Sequence, residues 1–228
     1  MREGVKAGAL LALLLFLTGC AGSAAVDGPA VLEVDKVVAL TFDDGPKRST
    51  TVRLLDALQT RGVPATFFLI GEQLEGNEDL VRRMQAEGHQ VGSHTWSHTD
   101  LSARSPWEAQ QELEKTQAAL EEILGPGPYW VRPPYGRLKE NRELETPIII
   151  WSVDPRDWES QDTDAVTEHV LSHVQPGDII LLHDIYDTSV DAAIRIVDTL
   201  QEQGYRFVTV AELLGPSVEP GVRYTRAP

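Results

Sequence analysis

Two adjacent carboxylates, Asp43 and Asp44, directly follow an apolar run that begins at Val37. Gly45 and Pro46 come next and break regular structure, so the pattern predicts a buried strand with acidic side chains at its exposed end. Neighbouring side chains at a strand end point in different directions. One aspartate can therefore bind a metal ion while the other transfers a proton, although a solvated Asp-Asp-Gly turn has the same sequence.

Two histidines four residues apart, His94 and His98, form a second set of candidate ligands. If the segment between them turns helically, both imidazoles lie on one face at a separation that suits a single ion. A carboxylate from another strand end would complete a site with two histidines and one aspartate, with one coordination position left for water. We expect Zn²⁺, and Co²⁺ or another first-row ion also accepts such ligands.

The elements that must position these side chains alternate along the sequence. Apolar strand-like runs are separated by stretches with helical spacing of Leu, Val, Ile and Ala, the pattern of parallel strands joined by helices. The predicted strands are 37–42, 66–70, 89–92, 129–132, 148–153, 178–182 and 206–210. The predicted helices are 50–60, 78–87, 106–124, 163–174 and 189–203, and 137–145 is a shorter helix or an irregular loop.

The polar residues that could do chemistry all come at the ends of predicted strands. In α/β barrels and open parallel sheets these carboxyl ends form the site, because each loop there projects into a common crevice. The sequence therefore predicts a single rim that carries the site. Its candidate residues are Asp43, Asp44, His94, His98, Arg132, Asp154, Asp157 and His183.

Five segments occur in order along the chain and together resemble a known family. They are Thr41-Phe42-Asp43-Asp44-Gly45, His94-Thr95-Trp96-Ser97-His98, Arg132-Pro133-Pro134-Tyr135, Asp154-Pro155-Arg156-Asp157-Trp158 and Leu181-Leu182-His183. They resemble the motifs of the NodB-type polysaccharide deacetylases, carbohydrate esterase family 4. The resemblance implies an α/β fold, a distorted (β/α)7-type barrel, which agrees with the predicted strands.

The resemblance also implies a specific role for each residue of the site. It assigns Asp44, His94 and His98 to the metal, Asp43 to the general base and His183 to the general acid. A metal ion polarises an amide carbonyl and a water molecule, and a general base takes the proton of that water. A general acid then protonates the departing amine, which is a poor leaving group without a proton.

Two further residues are expected to support the acid and the base. By the resemblance, Arg132 pairs with Asp43 and orients it, and Asp157 holds His183 in the useful tautomer. Asp154 either joins this network or caps a loop.

Three residues are expected to contact the substrate. The resemblance implies that the backbone N–H of Tyr135 stabilises the oxyanion and that Trp158 and Leu181 wall a pocket for the acetyl methyl group. Tyr135 and Trp158 would also flank a groove where sugar faces stack, and packing in the core is the alternative for such residues. His169 and His173 have metal-like spacing but fall on an outer helix, where we expect a solvated surface.

The activity that the resemblance implies is metal-dependent hydrolysis of N-acetyl groups from polysaccharide that contains N-acetylglucosamine, with release of acetate. Peptidoglycan is the favoured substrate because of the location inferred below, and chitin oligosaccharides or acetyl-xylan are alternatives. A glycan-binding lipoprotein of the same fold without activity is the alternative from another class. It would have no need for two aspartates and three histidines at one rim.

The N-terminal segment predicts export. Arg2 and Lys6 precede an apolar stretch, 7–17, that is shorter than the roughly 20 residues needed to span a membrane. Leu17-Thr18-Gly19-Cys20 resembles a bacterial lipobox, and Cys20 is the only cysteine; an ordinary secretory signal is the alternative. We expect the following organisation: signal peptide 1–19, lipidated Cys20 and tether 20–35, catalytic domain 36–214, and C-terminal tail 215–228.

The acidic composition limits the possible partners. The net charge of -15 argues against nucleic acid, because binding to phosphates depends on Lys and Arg. A neutral glycan fits better. We expect a monomer outside the cytoplasm that is anchored to the membrane through its lipid.

Overall fold

The central strand of the protein is β1 (Val37–Asp43), which is buried along almost its whole length. The computed structural model describes residues 36–139 and 144–227. The predicted signal peptide, Cys20 and the tether lie outside these described residues, as does part of the predicted segment 137–145. A strand buried on both faces is an uninterrupted apolar run, which explains why the sequence signal is strongest here.

The other strands and the helices follow in alternation. The remaining strands are β2 (Thr66–Leu69), β3 (Gln90–Ser93), β4 (Ile148–Ile149), β5 (Ile179–His183), β6 (Arg206–Val208) and β7 (Arg223–Tyr224). The helices are α1 (Arg48–Arg61), α2 (Glu78–Ala86), α3 (Pro106–Leu124), α4 (Asp157–Ser160), α5 (Thr163–His173), α6 (Asp187–Glu202) and α7 (Val210–Leu214). Short 3₁₀ turns occupy Gly71–Gln73, Leu101–Ala103 and Pro134–Gly136.

The strands close into a distorted barrel. The parallel order is β3-β2-β1-β5, and β6 pairs with the beginning of β1. Single bridges continue the path from Ser93 to Val131, from Val131 to Ile148, and from Val153 to Ile180 in β5. The α/β barrel predicted above is therefore present, and the carboxyl ends of its strands share one rim.

The fourth predicted strand is much shorter in the structure. Of residues 129–132 only Val131 forms bridges, and the predicted strand 148–153 is reduced to Ile148–Ile149 and a bridge at Val153. Pro133 and Pro134 follow this segment, and proline has no N–H to donate to a ladder. This side of the barrel is therefore irregular.

The C-terminal segment is not a simple tail, in contrast to the prediction. It contributes β7, which runs parallel to β4. The N–H of Ile148 donates to the carbonyl of Val222 at 2.9 Å, and the N–H of Ile150 donates to that of Tyr224 at 2.8 Å. The pairing satisfies backbone groups at the edge of β4. The sequence pattern could not predict β7, because a two-residue strand is too short to show periodicity.

Helix ends follow from local chemistry at several points. The side chain of Ser105 accepts the N–H of Glu108 while Glu108 accepts the N–H of Ser105, a capping box that begins α3 with Pro106 in its first turn. Helix α1 is followed by Gly62, whose φ of 63° suits glycine.

Among the described residues, no helix combines the length and apolar character needed to cross a membrane.

Candidate active site

The turn after β1 separates the two aspartates. Asp43 is the last residue of the strand and is buried, whereas Asp44 adopts a left-handed φ of 72° and turns away. Gly45 then lies against the carboxylate of Asp184, with which any Cβ at this position would overlap. The Asp-Asp-Gly sequence is therefore set by backbone geometry as well as by chemistry.

Arg132 is completely buried, and one of its guanidinium nitrogens donates to Asp43 while the other two hold the guanidinium in place. Its Nη1 donates to Oδ1 of Asp43 at 2.7 Å and to the hydroxyl of Thr41 at 2.8 Å. Its Nε and Nη2 donate to the carbonyls of Ile149 and Ile150 at 3.3 and 3.1 Å. Burial lowers the pKa of Arg132, and the charge of Asp43 opposes that shift. The guanidinium thus stabilises the negative charge of Asp43 and fixes the carboxylate in one orientation.

Asp44, His94 and His98 converge at the rim, and their ligand atoms all lie within 4.8 Å of one another. Nδ1 of His94 is 2.7 Å from the carbonyl of Arg132, so it carries the proton and Nε2 is free to bind a metal. Oδ1 of Asp44 is 3.5 Å from Nε2 of His94 and 3.3 Å from Nε2 of His98.

This donor set fits a divalent metal ion. Oδ1 of Asp44 is buried and has no hydrogen-bond partner within the described part of the chain, which is costly for a carboxylate unless a cation neutralises it. Burial and the neighbouring His94 lower the pKa of His98, which favours the neutral imidazole that a ligand must be. Two nitrogens and one oxygen suit Zn²⁺ and other first-row ions.

The segment between the two histidines is not helical, so this part of the prediction is wrong. Thr95 and His98 have left-handed φ values of 69° and 54°, and the intervening residues form bends. The imidazoles converge because the chain folds back sharply after β3. The order of the ligands was visible in the sequence, but the conformation that joins them was not.

His183 is the last residue of β5 and is held by Asp157 at the start of α4. Asp157 accepts the backbone N–H of His183 at 2.8 Å and its Nδ1–H at 2.8 Å, and it also accepts the hydroxyl of Ser189 at 2.6 Å. Burial by itself lowers the pKa of His183, but the hydrogen bond and charge of Asp157 outweigh it and raise the pKa to about 9. The imidazole is therefore protonated at neutral pH.

The three predicted substrate residues differ in exposure. Tyr135 is 59 % exposed and lies edge-on to His98 with 4.9 Å between ring centroids, and Trp158 is 45 % exposed. Both aromatic rings are thus available to a ligand. Leu181 is only 3 % exposed, and its role as a pocket wall stays a prediction.

Other polar residues do not join the site. Asp154 accepts the N–H of Arg156 at 2.9 Å, which is the loop-capping alternative. His169 and His173 stack on each other along α5, with His173 exposed. Among the described residues, the cluster of Asp44, His94 and His98 is the only group that meets the geometric criteria for a metal site.

Three supporting residues were missed from the sequence. Thr41, a polar residue in an apolar run, donates to the carbonyl of Ile180 at 2.6 Å and accepts from Arg132. Asp184 follows His183 directly and is fully buried beside Thr51, and burial raises its pKa to about 7. The contact of Ser189 with Asp157 could not be predicted from the sequence, because a serine near the start of a helix is usually a cap.

The arrangement can perform acid–base chemistry around one ion site. Oδ1 of Asp43 is engaged by Arg132, while Oδ2 lies 3.6 Å from Nε2 of His94 and so faces the donor cluster. His183 is the register partner of Asp43 on the neighbouring strand. A fixed carboxylate and a protonated imidazole therefore lie beside three converging ligands.

Comparison with known proteins agrees with this geometry. The Polysaccharide deacetylase family model matches residues 33–146. Peptidoglycan-N-acetylglucosamine deacetylase PgdA of Listeria monocytogenes is 42 % identical over 194 residues, which cover 84 % of this chain and 42 % of that protein. The chain thus spans less than half of this longer relative.

Solved structures with the same architecture include both amide and ester hydrolases. The peptidoglycan deacetylase PdaC from Bacillus subtilis has a TM-score of 0.76 and 41 % identity, with 78 % of this chain and 90 % of that chain covered. A family 4 acetyl xylan esterase from Clostridium thermocellum in complex with a cobalt ion has a TM-score of 0.79 and 32 % identity, with 85 % and 100 % covered. The resemblance drawn from the five motifs is confirmed, and the chain belongs to the polysaccharide deacetylase family.

Proposed function

We propose that this protein hydrolyses the acetamide of N-acetylglucosamine units in peptidoglycan and releases acetate. The observation that carries the proposal is the placement of Asp43 and His183 on adjacent strands beside the cluster of Asp44, His94 and His98. The peptidoglycan-N-acetylglucosamine deacetylase of Listeria monocytogenes supports both the polymer and the sugar. PdaC of Bacillus subtilis, a peptidoglycan-N-acetylmuramic acid deacetylase, supports the polymer alone. The cluster would hold a divalent ion, Zn²⁺ first or Co²⁺, and when bound this ion supplies Lewis-acid polarisation of the acetyl carbonyl and of water.

Asp43 acts as the general base in this proposal. Arg132 engages Oδ1, which leaves Oδ2 directed towards the donor cluster where water and substrate would meet. Oδ2 accepts a proton from water as the oxygen of that water adds to the acetyl carbon. Because the carboxylate is fixed before substrate arrives, little reorganisation is needed for this step.

His183 acts as the general acid. It is protonated at neutral pH because Asp157 raises its pKa to about 9. It donates its Nε2 proton to the amine nitrogen as the carbon–nitrogen bond breaks, which yields acetate and a free amino group on the sugar. Asp157 keeps Nδ1 occupied, so that Nε2 is the nitrogen directed at the substrate.

The exposed aromatic rings suit a polymeric substrate. Tyr135 and Trp158 remain open to solvent next to His98 and Asp157, respectively. Aromatic faces stack on the apolar faces of sugar rings. We assign both to the walls of a glycan groove that continues past the reacting sugar on either side.

We further propose that the protein works outside the cytoplasm at a membrane surface, held by lipid on Cys20. The lipobox-like sequence Leu17-Thr18-Gly19-Cys20 supports this location. Two or more acyl chains at roughly 0.8 kcal/mol for each buried CH₂ would anchor it stably. Metabolic labelling with a radioactive fatty acid, compared with Cys20→Ala, tests the anchor.

Acetate release tests the activity. The full-length protein is incubated with peptidoglycan, N-acetylglucosamine oligomers or acetylated xylan, each with added Zn²⁺ or Co²⁺. We expect the highest rate on peptidoglycan. Release only from oligomers or xylan would overturn the substrate assignment, and release from none of them would favour a glycan-binding protein.

A further inference from the structure

The loop that joins the two metal-site histidines has a backbone that its own sequence does not favour. Thr95 and His98 both adopt left-handed φ values, 69° and 54°. Residues with a Cβ rarely take this conformation, and it persists only when surrounding structure holds it. The contacts that hold the loop therefore decide where the imidazole of His98 lies.

One set of contacts comes from the backbone of the 3₁₀ turn after β2. The N–H of Gly71 donates to the carbonyl of Thr95, and the N–H of Glu72 donates to that of Trp96, both at 2.9 Å. The indole of Trp96 packs on Gly71 so closely that any Cβ there would overlap it. These contacts fix the first half of the loop.

The second half of the loop is held by α3. The carboxylate of Glu112 binds Ser97 at two points: Oε2 accepts the backbone N–H at 2.8 Å, and Oε1 accepts the hydroxyl at 2.9 Å. One turn later, Nζ of Lys115 lies 3.7 Å from the ring centroid of Trp96. Ser97 immediately precedes His98, so the two-point contact restrains the peptide from which the ligand projects.

We propose that Glu112 is a positioning residue for the metal site, which holds Ser97 so that His98 stays within reach of Asp44 and His94. The inference rests on the metal role proposed above for these three residues. Glu112 does not touch the ligands themselves in this assignment; it acts through the Ser97 backbone. Outer contacts of this kind typically change metal affinity by roughly 10- to 100-fold.

The test compares Glu112→Ala with Glu112→Gln and with Glu114→Ala in the full-length protein. Glu114 lies on the same helix, is exposed, and accepts hydrogen bonds from Gln110 and Gln111. Zn²⁺ affinity is measured by competition with a chromophoric chelator. Glutamine can accept the N–H of Ser97 and donate to its hydroxyl, so it should preserve both contacts.

We expect Glu112→Ala to weaken Zn²⁺ binding by roughly 10-fold or more, with Glu112→Gln near wild type and Glu114→Ala unchanged. At saturating Zn²⁺, acetate release by Glu112→Ala should largely recover, because no catalytic group is removed. Equal affinity in the two alanine variants would overturn the proposal. A wild-type protein that binds no Zn²⁺ would instead overturn the metal role itself.

A further variant covers the case in which Glu112→Ala does not fold. Ser97→Ala removes only one of the two contacts and leaves α3 intact, so a smaller loss of Zn²⁺ affinity is expected. In Ser97→Ala, a change of Glu112 to Gln should then add little further loss. Full Zn²⁺ affinity in Ser97→Ala, with the protein folded by circular dichroism, would contradict the positioning role of this contact.

Discussion

Asp43 and His183 are register partners on the adjacent parallel strands β1 and β5. Each is the last residue of its strand, so their separation is set by the spacing of strands in a sheet, about 4.8 Å. Each of the two residues is also held by its own charged partner, Asp43 by Arg132 and His183 by Asp157. The proposed base and the proposed acid are thus parts of one rigid scaffold.

Asp43→Asn should abolish most of the activity without loss of the metal. An amide cannot accept the proton of water, so acetate release should fall by roughly 10²- to 10⁴-fold. Bound Zn²⁺ after dialysis should match wild type, because Asp44, His94 and His98 remain. Unchanged acetate release would remove Asp43 from the role of base.

Asp157→Asn should shift the alkaline limb of the pH–rate profile towards lower pH. The Asp157 carboxylate makes the largest contribution that raises the pKa of His183, to about 9, against the effect of burial. Without it, His183 should lose its proton at a lower pH. The measurement is kcat against pH for acetate release. Ser189→Ala, which removes one hydrogen bond to Asp157 but no charge, is the matched control and should shift the limb less.

The same ion pair should make stability depend on pH. The pKa of His183 is raised in the folded protein from an ordinary value of 6.5, so the stabilisation is fully present below pH 6.5 and is lost as the pH rises through about 9. Urea unfolding at several pH values should show this loss. In Asp157→Asn the alkaline loss should be smaller, and an equal loss in both proteins would assign it to other groups.

His98→Ala should lose bound metal, whereas His169→Ala should retain it. His98 supplies one of three converging ligand atoms, while His169 on α5 lies outside that cluster. Metal content by atomic absorption after dialysis separates the two variants. Retention by His98→Ala would show that the ion is held elsewhere.

Arg132→Met should destabilise the fold strongly, because it leaves the Asp43 carboxylate buried without its cation. Breaking a buried pair in this way costs about 3–5 kcal/mol in free energy of unfolding. In an Asp43→Asn background the same change should cost less, since no uncompensated charge remains. Urea unfolding of the four proteins gives the coupling, and equal costs in both backgrounds would contradict a direct ion pair.

The positions of the candidate site residues in the fold could be predicted, because each lies at the carboxyl end of a predicted strand. Each apolar run that stops at a polar residue marks a carboxyl end, and parallel strands bring those ends together. That argument placed Asp43, His94 and His183 on one rim without any knowledge of distances. The alternation of strands and helices predicted parallel strands joined by helices, and the family resemblance implied that they close into a barrel.

The conformations between these anchors could not be predicted, because contacts from distant parts of the chain determine them. The left-handed residues Thr95 and His98 depend on Gly71 and Glu112, which no local pattern connects to them. The short strand at Val131 pairs with Ser93 and Ile148, which are distant from it in the sequence. Propensity describes the backbone conformation that a residue prefers by itself, and here tertiary contacts override that preference.

The pairing of β7 with β4 links the C-terminal segment to Asp43 through a short series of hydrogen bonds. The carbonyl of Tyr224 accepts the N–H of Ile150, whose own carbonyl accepts Nη2 of Arg132, and Arg132 in turn holds Asp43. The β7 segment therefore supports the residue proposed as the general base. A tag or truncation that displaced β7 would weaken the hold of Arg132 on that carboxylate.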